Sequence, residues 1–210
     1  MQAIINIFIS YLVGSISGSM VLGKIKGIDI RKMGSGNAGG TNAFRTVGTS
    51  FALGVILIDI LKGIISVLYV SQFNFIGEFS FNFSLELMQV LCAVGAVLGH
   101  VYPIYYGFKG GKGAGTLIGI ISVLFPQSIV YALLVWLITL IFTGYVGLGT
   151  MIAGIVLTIS AYLLKVHIIY FYFSILMSLF IIFTHRSNIK RMLDKTESQF
   201  KKIMFFKHFF

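Results

Sequence analysis

The chain has 210 residues, of which 57% are hydrophobic and 10% charged, and it carries a formal net charge of +10 at a mean hydropathy of +0.96. Soluble domains carry about a quarter charged residues. The composition therefore excludes an ordinary soluble protein, a disordered chain and a coiled coil, and leaves an integral membrane protein with several spans. A span needs roughly 20 apolar residues, so the length holds at most about seven short ones, and residues 1–210 are expected to form a single transmembrane domain.

Ala3 to about Leu22 is the first apolar run. No Lys or Arg precedes it, so it reads as a retained span and not as a signal peptide. Thr49–Ser71 is the second, interrupted by Asp59 and Lys62, and Leu85–Tyr106 is the third. Ala114–Phe125 is a short fourth run that ends at Pro126. Ser128–Tyr145, Leu148–Leu164 and Ile168–Thr184 follow. The predicted fold is all-α, with seven transmembrane helices.

Charge sets the expected orientation. With seven alternating spans, fourteen of the sixteen Lys and Arg residues fall on one face: Lys24, Lys26, Arg31, Lys32, Arg45, Lys109, Lys112 and seven between Arg186 and Lys207. The other face receives Lys165, and Lys62 lies within a span. A six-crossing chain would separate the basic tail from the basic first loop. The N-terminus is thus expected outside and the C-terminus in the cytoplasm. On the outer side, the Gln72–Ser84 connection carries Glu78 and the glycosylation-like triplet Asn82-Phe83-Ser84, a pattern short enough to arise by chance. The aromatic and lysine-rich tail from Phe200 to Phe210 reads as an anchor on anionic lipid. Cys92, the one cysteine, reads as a small buried hydrophobe.

Three polar clusters fall on the cytoplasmic side of this topology. The first runs from Gly34 through Ser35, Gly36, Asn37, Gly39, Gly40, Thr41 and Asn42 to Arg45. Gly34-x-Gly36-x-x-Gly39 spells a dinucleotide fingerprint, but that reading needs a preceding strand, and here apolar helices flank it. The cluster reads instead as a loop whose N–H groups wrap an anion beside a planar cation; the alternative is a flexible connection with a helix cap.

The second cluster holds Gly99, His100, Pro103, Lys109, Gly110, Gly111, Lys112 and Gly113. It lacks the Ser or Thr that follows the lysine of a P-loop, yet glycines and lysines before a helix start suit a phosphate. Its plainer reading is a flexible positive-inside loop, with His100 as a packing or capping residue. The third runs from His185 to Glu197; His185 and Asn188 share a helical face, Glu197 suits a pin for nearby cations, and a basic membrane-edge helix is the plainer reading. Asp59 and Lys62, three apart within a span, suit either a structural ion pair or a functional cavity.

These clusters resemble the three motifs of the bacterial acyl-phosphate–glycerol-3-phosphate acyltransferases, the PlsY family. The first matches G-S-G-N-x-G-x-T-N-x-x-R, the second G-H-x-x-P followed by F-K-G-G-K-G, and the third H-R-x-N-I-x-R with a downstream T-E. Asp59-x-x-Lys62-Gly63 also has a counterpart, and the resemblance runs from about Gly14 to Glu197. It implies transfer of a fatty acyl group from acyl phosphate to the 1-hydroxyl of glycerol 3-phosphate, giving 1-acyl-glycerol 3-phosphate and phosphate. It implies a multi-pass protein of the bacterial plasma membrane, with the site facing the cytoplasm and with no metal or organic cofactor.

By motif position, Ser35, Arg45, His185 and Asn188 carry over as catalytic residues. Gly34, Gly36, Asn37, Gly39, Thr41, Asn42, Lys109, Gly110, Gly111, Lys112 and Gly113 carry over as substrate-binding residues. Asp59, Lys62, His100 and Glu197 are expected to be structural or pairing residues. The implied partners are the two substrates, the lipid bilayer and, functionally, the enzyme that makes acyl phosphate; nucleic acid is not among them.

Departures are visible too. Gly40 replaces a usual alanine, and Lys195 a usual glycine. Gly144 and Gly147 stand in a T-R-Y-V-S-L-like stretch that has lost its Arg and Ser; if those side chains help bind phosphate, either Thr150 or a cation elsewhere substitutes, or affinity is lower. The alternative function is a transporter or channel for phosphate or a phosphorylated metabolite. Asp59 and Lys62 favour it, while the want of an internal repeat and the edge position of the clusters oppose it.

Overall fold

A computed structural model describes residues 1–74, 83–201 and 203–205. Glu78 and Asn82, with Lys202 and residues 206–210 of the tail, lie outside the described residues. Among those described there is no strand, and ten α-helices form. They are α1 (Gln2–Gly14), α2 (Gly18–Lys26), α3 (Gly40–Thr46), α4 (Thr49–Leu68), α5 (Leu85–Val101), α6 (Ala114–Leu124), α7 (Gln127–Thr143), α8 (Val146–Leu163), α9 (Ile168–Thr184) and α10 (Arg186–Leu193). All seven apolar runs are helical. Four stretches are long and apolar enough to cross a membrane, namely Gln2–Lys26, Thr49–Gln72, Leu85–Tyr106 and Val146–Leu163; α9 and α10, bent by 49°, make a fifth if counted together.

The first run differs from expectation. It is broken between α1 and α2, where Ser17 is extended at φ −87° and ψ 119°. The cause is local. Gly14-Ser15-Ile16-Ser17-Gly18-Ser19 mixes residues with weak helix propensity and hydroxyls that compete for backbone partners. Ser15 Oγ donates to the Tyr11 carbonyl at 2.8 Å.

The chain divides into two compact units, Met1–Leu124 and Phe125–Phe210. In the first, α1 packs on α5 and α4 on α6. Glycine permits both close approaches. A Cβ on Gly99 would meet the Tyr11 carbonyl, and one on Gly119 would meet the carbonyl of Ile60. Small residues at such crossings let helix backbones approach closely in apolar surroundings. In the second unit, α8 packs against α7 and α9. The buried residues of α9 (Phe173, Ser174, Met177, Ser178, Ile181 and Thr184) form one stripe. Val130, Leu134, Leu137 and Ile138 of α7 are exposed, a surface that suits lipid.

Gly144 ends α7 in the left-handed region at φ 70°, which glycine adopts without steric cost. The chain after α10 returns to this helix end. Phe200 N–H donates to the Gly144 carbonyl at 2.9 Å and Phe205 N–H to Ile141 at 3.1 Å, while Gln199 Nε2 donates to Thr143 at 3.3 Å. The described part of the tail thus satisfies carbonyls that the last turn leaves open, with Met204 buried and Phe205 exposed. Ser84, the described end of the glycosylation-like triplet, caps α5 by accepting from Leu87 N–H at 3.3 Å.

Gly119→Ala is expected to destabilise the α4–α6 crossing by about 1–3 kcal/mol, since the new methyl meets backbone that cannot move aside cheaply. Thermal unfolding in detergent checks this; an unchanged midpoint would show that the crossing has slack.

Candidate functional site

The first polar cluster is a packed loop and not a flexible connection. Ile30, Ala38 and Ala43 are fully buried, and with Phe51, Ala52 and Val55 they form a small core. Asn42 is only 3% exposed and works inside the loop. Its Oδ1 accepts Ser35 N–H at 2.9 Å, and its Nδ2 donates to the carbonyls of Met33 at 2.9 Å and Ile30 at 3.2 Å. Gly34, at φ +54°, leaves no room for a Cβ beside Asn42 and Thr46. This network turns Ser35 outward, where it is exposed, as are Gly34, Gly36 and Thr41. Asn37 and Gly39 are half-buried, and Arg45 is half-buried in the last turn of α3. α3 itself goes beyond the sequence pattern, whose glycines and asparagines suggest a loop throughout.

Two supports of the loop are not evident in the sequence. Ser19, fully buried in α2, donates its hydroxyl to the Ala38 carbonyl at 2.8 Å. Arg31 makes a two-pronged pair with Asp29, Nε to Oδ1 and Nη2 to Oδ2, both 3.0 Å. Its Nη1 donates to the Tyr106 carbonyl at 3.0 Å, which ties the first cluster to the chain entering the second. The Arg31 side-chain hydrogen bond holds the Asp29 carboxyl below its ordinary range, against the opposing effect of burial. The pair's contribution is complete above the ordinary carboxylate pKa and disappears only as acid takes the pH through the lowered one. At neutral pH the clamp is charged. Its one signal in the sequence is short, Asp and Arg two apart after the Gly27 helix stop.

In the second cluster, Gly110 and Gly111 pack on the end of α5. Gly110 N–H donates to the Val101 carbonyl at 3.2 Å and Gly111 N–H to the His100 carbonyl at 3.1 Å. A Cβ on Gly111 would collide with the His100 imidazole. These two glycines therefore serve close approach, and their own N–H groups face inward. Lys109 is exposed and Lys112 half-buried. The buried Gly113 is at φ +95° immediately before α6, so both lysines precede the positive end of a helix dipole.

Asp59 and Lys62 are each 3% exposed and lie 3.0 Å apart. Lys62 Nζ donates to the Ile16 carbonyl at 3.0 Å, and Gly18 N–H donates to Asp59 Oδ1 at 3.4 Å. His100 Nδ1 lies 3.4 Å from the same oxygen, without the alignment of a hydrogen bond. The pair thus holds the two ends of the α1–α2 break, which removes the main observation favouring a transport site.

The third cluster belongs to the second unit. His185 is buried at the α9–α10 bend, and its Nδ1 lies 2.7 Å from the Ile181 carbonyl. A carbonyl only accepts, so Nδ1 carries the proton and a neutral ring has its lone pair on Nε2. Asn188 Nδ2 donates to Glu197 Oε1 at 2.9 Å and Arg191 Nε to Oε2 at 2.6 Å. Glu197 thus pins α10 to the chain that follows it. Lys195, in the position where glycine was expected, has φ +55°, a conformation that costs a side chain energy. Gly147 packs on Asn188, whose Nδ2 would be 2.9 Å from an added Cβ, and a Cβ on Gly144 would be 2.8 Å from Met204 Sδ. Both departures therefore have local packing reasons. Thr150 Oγ1 donates within its own helix to Val146 at 2.9 Å.

Comparison with known proteins agrees with this set of motifs. Residues 4–195 match the family model described as glycerol-3-phosphate acyltransferase. Proteins named glycerol-3-phosphate acyltransferase from Bacillus subtilis and Halalkalibacterium halodurans are 40% and 39% identical, over 93% and 90% of this chain and 96% and 91% of theirs. Two crystal structures of PlsY (YgiH), an integral membrane glycerol 3-phosphate acyltransferase, superpose with TM-scores of 0.84 and 0.82 at 33% and 32% identity, each covering 95% of this chain and 96% of that one. One is the glycerol 3-phosphate form and the other the lysophosphatidic acid form. The chain belongs to the glycerol-3-phosphate acyltransferase family, and both of these named relatives are bacterial.

Lys195→Gly is expected to stabilise the turn after α10 by about 0.5–1 kcal/mol, because glycine enters the left-handed region without a Cβ penalty. A raised thermal midpoint with unchanged activity is the expected result. A lowered midpoint would show that the lysine side chain contributes more than its backbone strain costs.

Proposed function

We propose that this chain is a membrane acyltransferase of the bacterial plasma membrane that moves a fatty acyl group from acyl phosphate to the 1-hydroxyl of glycerol 3-phosphate. The carrying observation is family membership over residues 4–195, together with a first motif folded so that Ser35 is exposed and Arg45 is half-buried in the last turn of α3. The reading includes one transmembrane domain of seven spans, with the N-terminus outside and the basic loops in the cytoplasm. It also includes a functional link to the enzyme that makes acyl phosphate.

In this reaction the acceptor hydroxyl attacks the acyl carbonyl. The new ester C–O bond forms, the bond to the phosphate oxygen breaks, and phosphate leaves with the electron pair. Phosphate leaves readily, so no covalent intermediate on the protein is needed. Arg45, Lys109 and Lys112 offset the negative charges of two phosphates, and Ser35 donates a hydrogen bond to one of them. Asn37, Gly39 and Thr41 line the same loop. Asn42, Gly34 and Gly36 give it shape, as Gly110, Gly111 and Gly113 do in the second cluster. Asn188, held by Glu197, orients the third. Positioning and electrostatics supply most of the acceleration.

Purified protein with palmitoyl phosphate and glycerol 3-phosphate is expected to release phosphate only when both are present. Lysophosphatidic acid should form, palmitoyl-coenzyme A should be inert, and no acylated Ser35 should accumulate. Counterflow of labelled glycerol 3-phosphate in proteoliposomes, without an acyl product, would favour a transporter instead. His185→Asn tests where the hydroxyl proton goes: a pH–rate profile that loses a limb in the variant assigns it to Nε2, and an unaltered profile assigns it to a substrate phosphate.

A further inference from the structure

We infer that the Asp59–Lys62 pair and His100 are positioning residues for the transfer reaction, setting the first and second polar clusters around a single buried carboxylate. The inference rests on the acyltransferase reading above. Two opposite charges buried in an apolar span are costly unless further hydrogen bonds satisfy them. Here those further bonds go to backbone atoms of fixed polarity. Lys62 donates to the Ile16 carbonyl at 3.0 Å, and Asp59 Oδ1 accepts from Gly18 N–H at 3.4 Å. Each charge therefore faces a backbone group at the break that it can satisfy.

From this point two short paths reach the polar clusters. On one side, Gly18 precedes Ser19, whose hydroxyl holds the Ala38 carbonyl at 2.8 Å, between Asn37 and Gly39 of the first cluster. On the other, His100 Nδ1 lies 3.4 Å from the same Asp59 oxygen. The His100 ring forms the floor on which Gly111 sits, and its backbone carbonyl accepts Gly111 N–H at 3.1 Å. Gly115, at the start of α6, packs against Asp59 as well, with 3.1 Å between an added Cβ and the Asp59 Cβ. Both clusters thus meet at one buried carboxylate, the first through the Gly18 hydrogen bond and the second through the close approach of His100 and Gly115. A simple neutralising pair would not need this arrangement.

Polarity makes the inference testable. Asp59→Asn/Lys62→Gln removes both charges but keeps an acceptor for Gly18 and a donor for Ile16. Asp59→Lys/Lys62→Asp keeps an ion pair but presents each backbone group with the wrong partner. The neutral double variant is expected to stay within about tenfold of wild-type kcat/KM in the phosphate-release assay, and the swapped variant to lose at least a hundredfold. A swapped variant that does not fold reports on stability alone, and the KM values of the His100 variants then decide. A swapped variant with wild-type turnover overturns it, because the pair would then serve only charge balance.

His100→Leu fills the ring's place without reaching Asp59, and it decides the matter if neither double variant folds. It is expected to raise the KM of at least one phosphate substrate tenfold, with His100→Asn intermediate. A lowered thermal midpoint with both KM values unchanged would reduce His100 to packing and overturn its assigned role. Wild-type protein that releases no phosphate refutes the acyltransferase reading itself, before any variant is compared.

Discussion

Within an apolar span every backbone N–H and C=O needs a partner from the protein. That constraint meets its hardest case at the Ser15–Ser17 break, and the Asp59–Lys62 pair answers it. The break would leave Ile16 C=O and Gly18 N–H open, and the two charges would be prohibitively costly alone; each defect is the other's remedy. The geometry of the first unit follows. α2 resumes beyond the break, Ser19 within it holds the Ala38 carbonyl, and the glycine-rich loop packs on a core of Ile30, Ala43 and Val55.

The polar residues of the motifs divide by what they touch. Asn42, Gly34, Gly110, Gly111 and Glu197 make hydrogen bonds or close contacts within the protein and give the loops a fixed form. Ser35, Thr41 and Lys109 stay exposed. A loop that holds a phosphate, as proposed for this one, would benefit from this division, because donors that are already fixed lose little freedom when charge arrives. The Asp29–Arg31 clamp adds a second tie between the first two clusters through Tyr106. It lies outside the spans and is partly exposed, so water screens it more than the buried pair.

Two of the departures from the family pattern, Gly144 and Gly147, have physical reasons in the second unit. Gly144 occupies a left-handed helix end covered by the returning tail, with Met204 against it. An arginine there would need both a strained φ and the displacement of the tail. Gly147 gives its space to Asn188, which Glu197 holds from the other side. Lys195 is the reverse case, a side chain where the backbone asks for none.

Composition and the apolar runs alone determined the all-helical membrane class, and six of the seven runs became single helices close to their expected places, because an apolar run is a feature of contiguous sequence. The three motifs were legible for a similar reason: each is contiguous, and its glycines, lysines and hydroxyls carry their chemistry in order. The break in the first run, the α3 helix and the work of Ser19, Arg31 and Asn42 were not. Gly14-Ser15-Ile16-Ser17-Gly18 held a signal, but a weak one that apolar neighbours outweighed. Whether Asp59 and Lys62 form a structural pair or a transport site was likewise undecidable from spacing. Their partners, Ile16, Gly18 and His100, are 46, 41 and 41 positions distant from Lys62, Asp59 and Asp59 in the chain. Only folding brings those groups within 3.4 Å, and a buried charge takes its role from whatever lies that close.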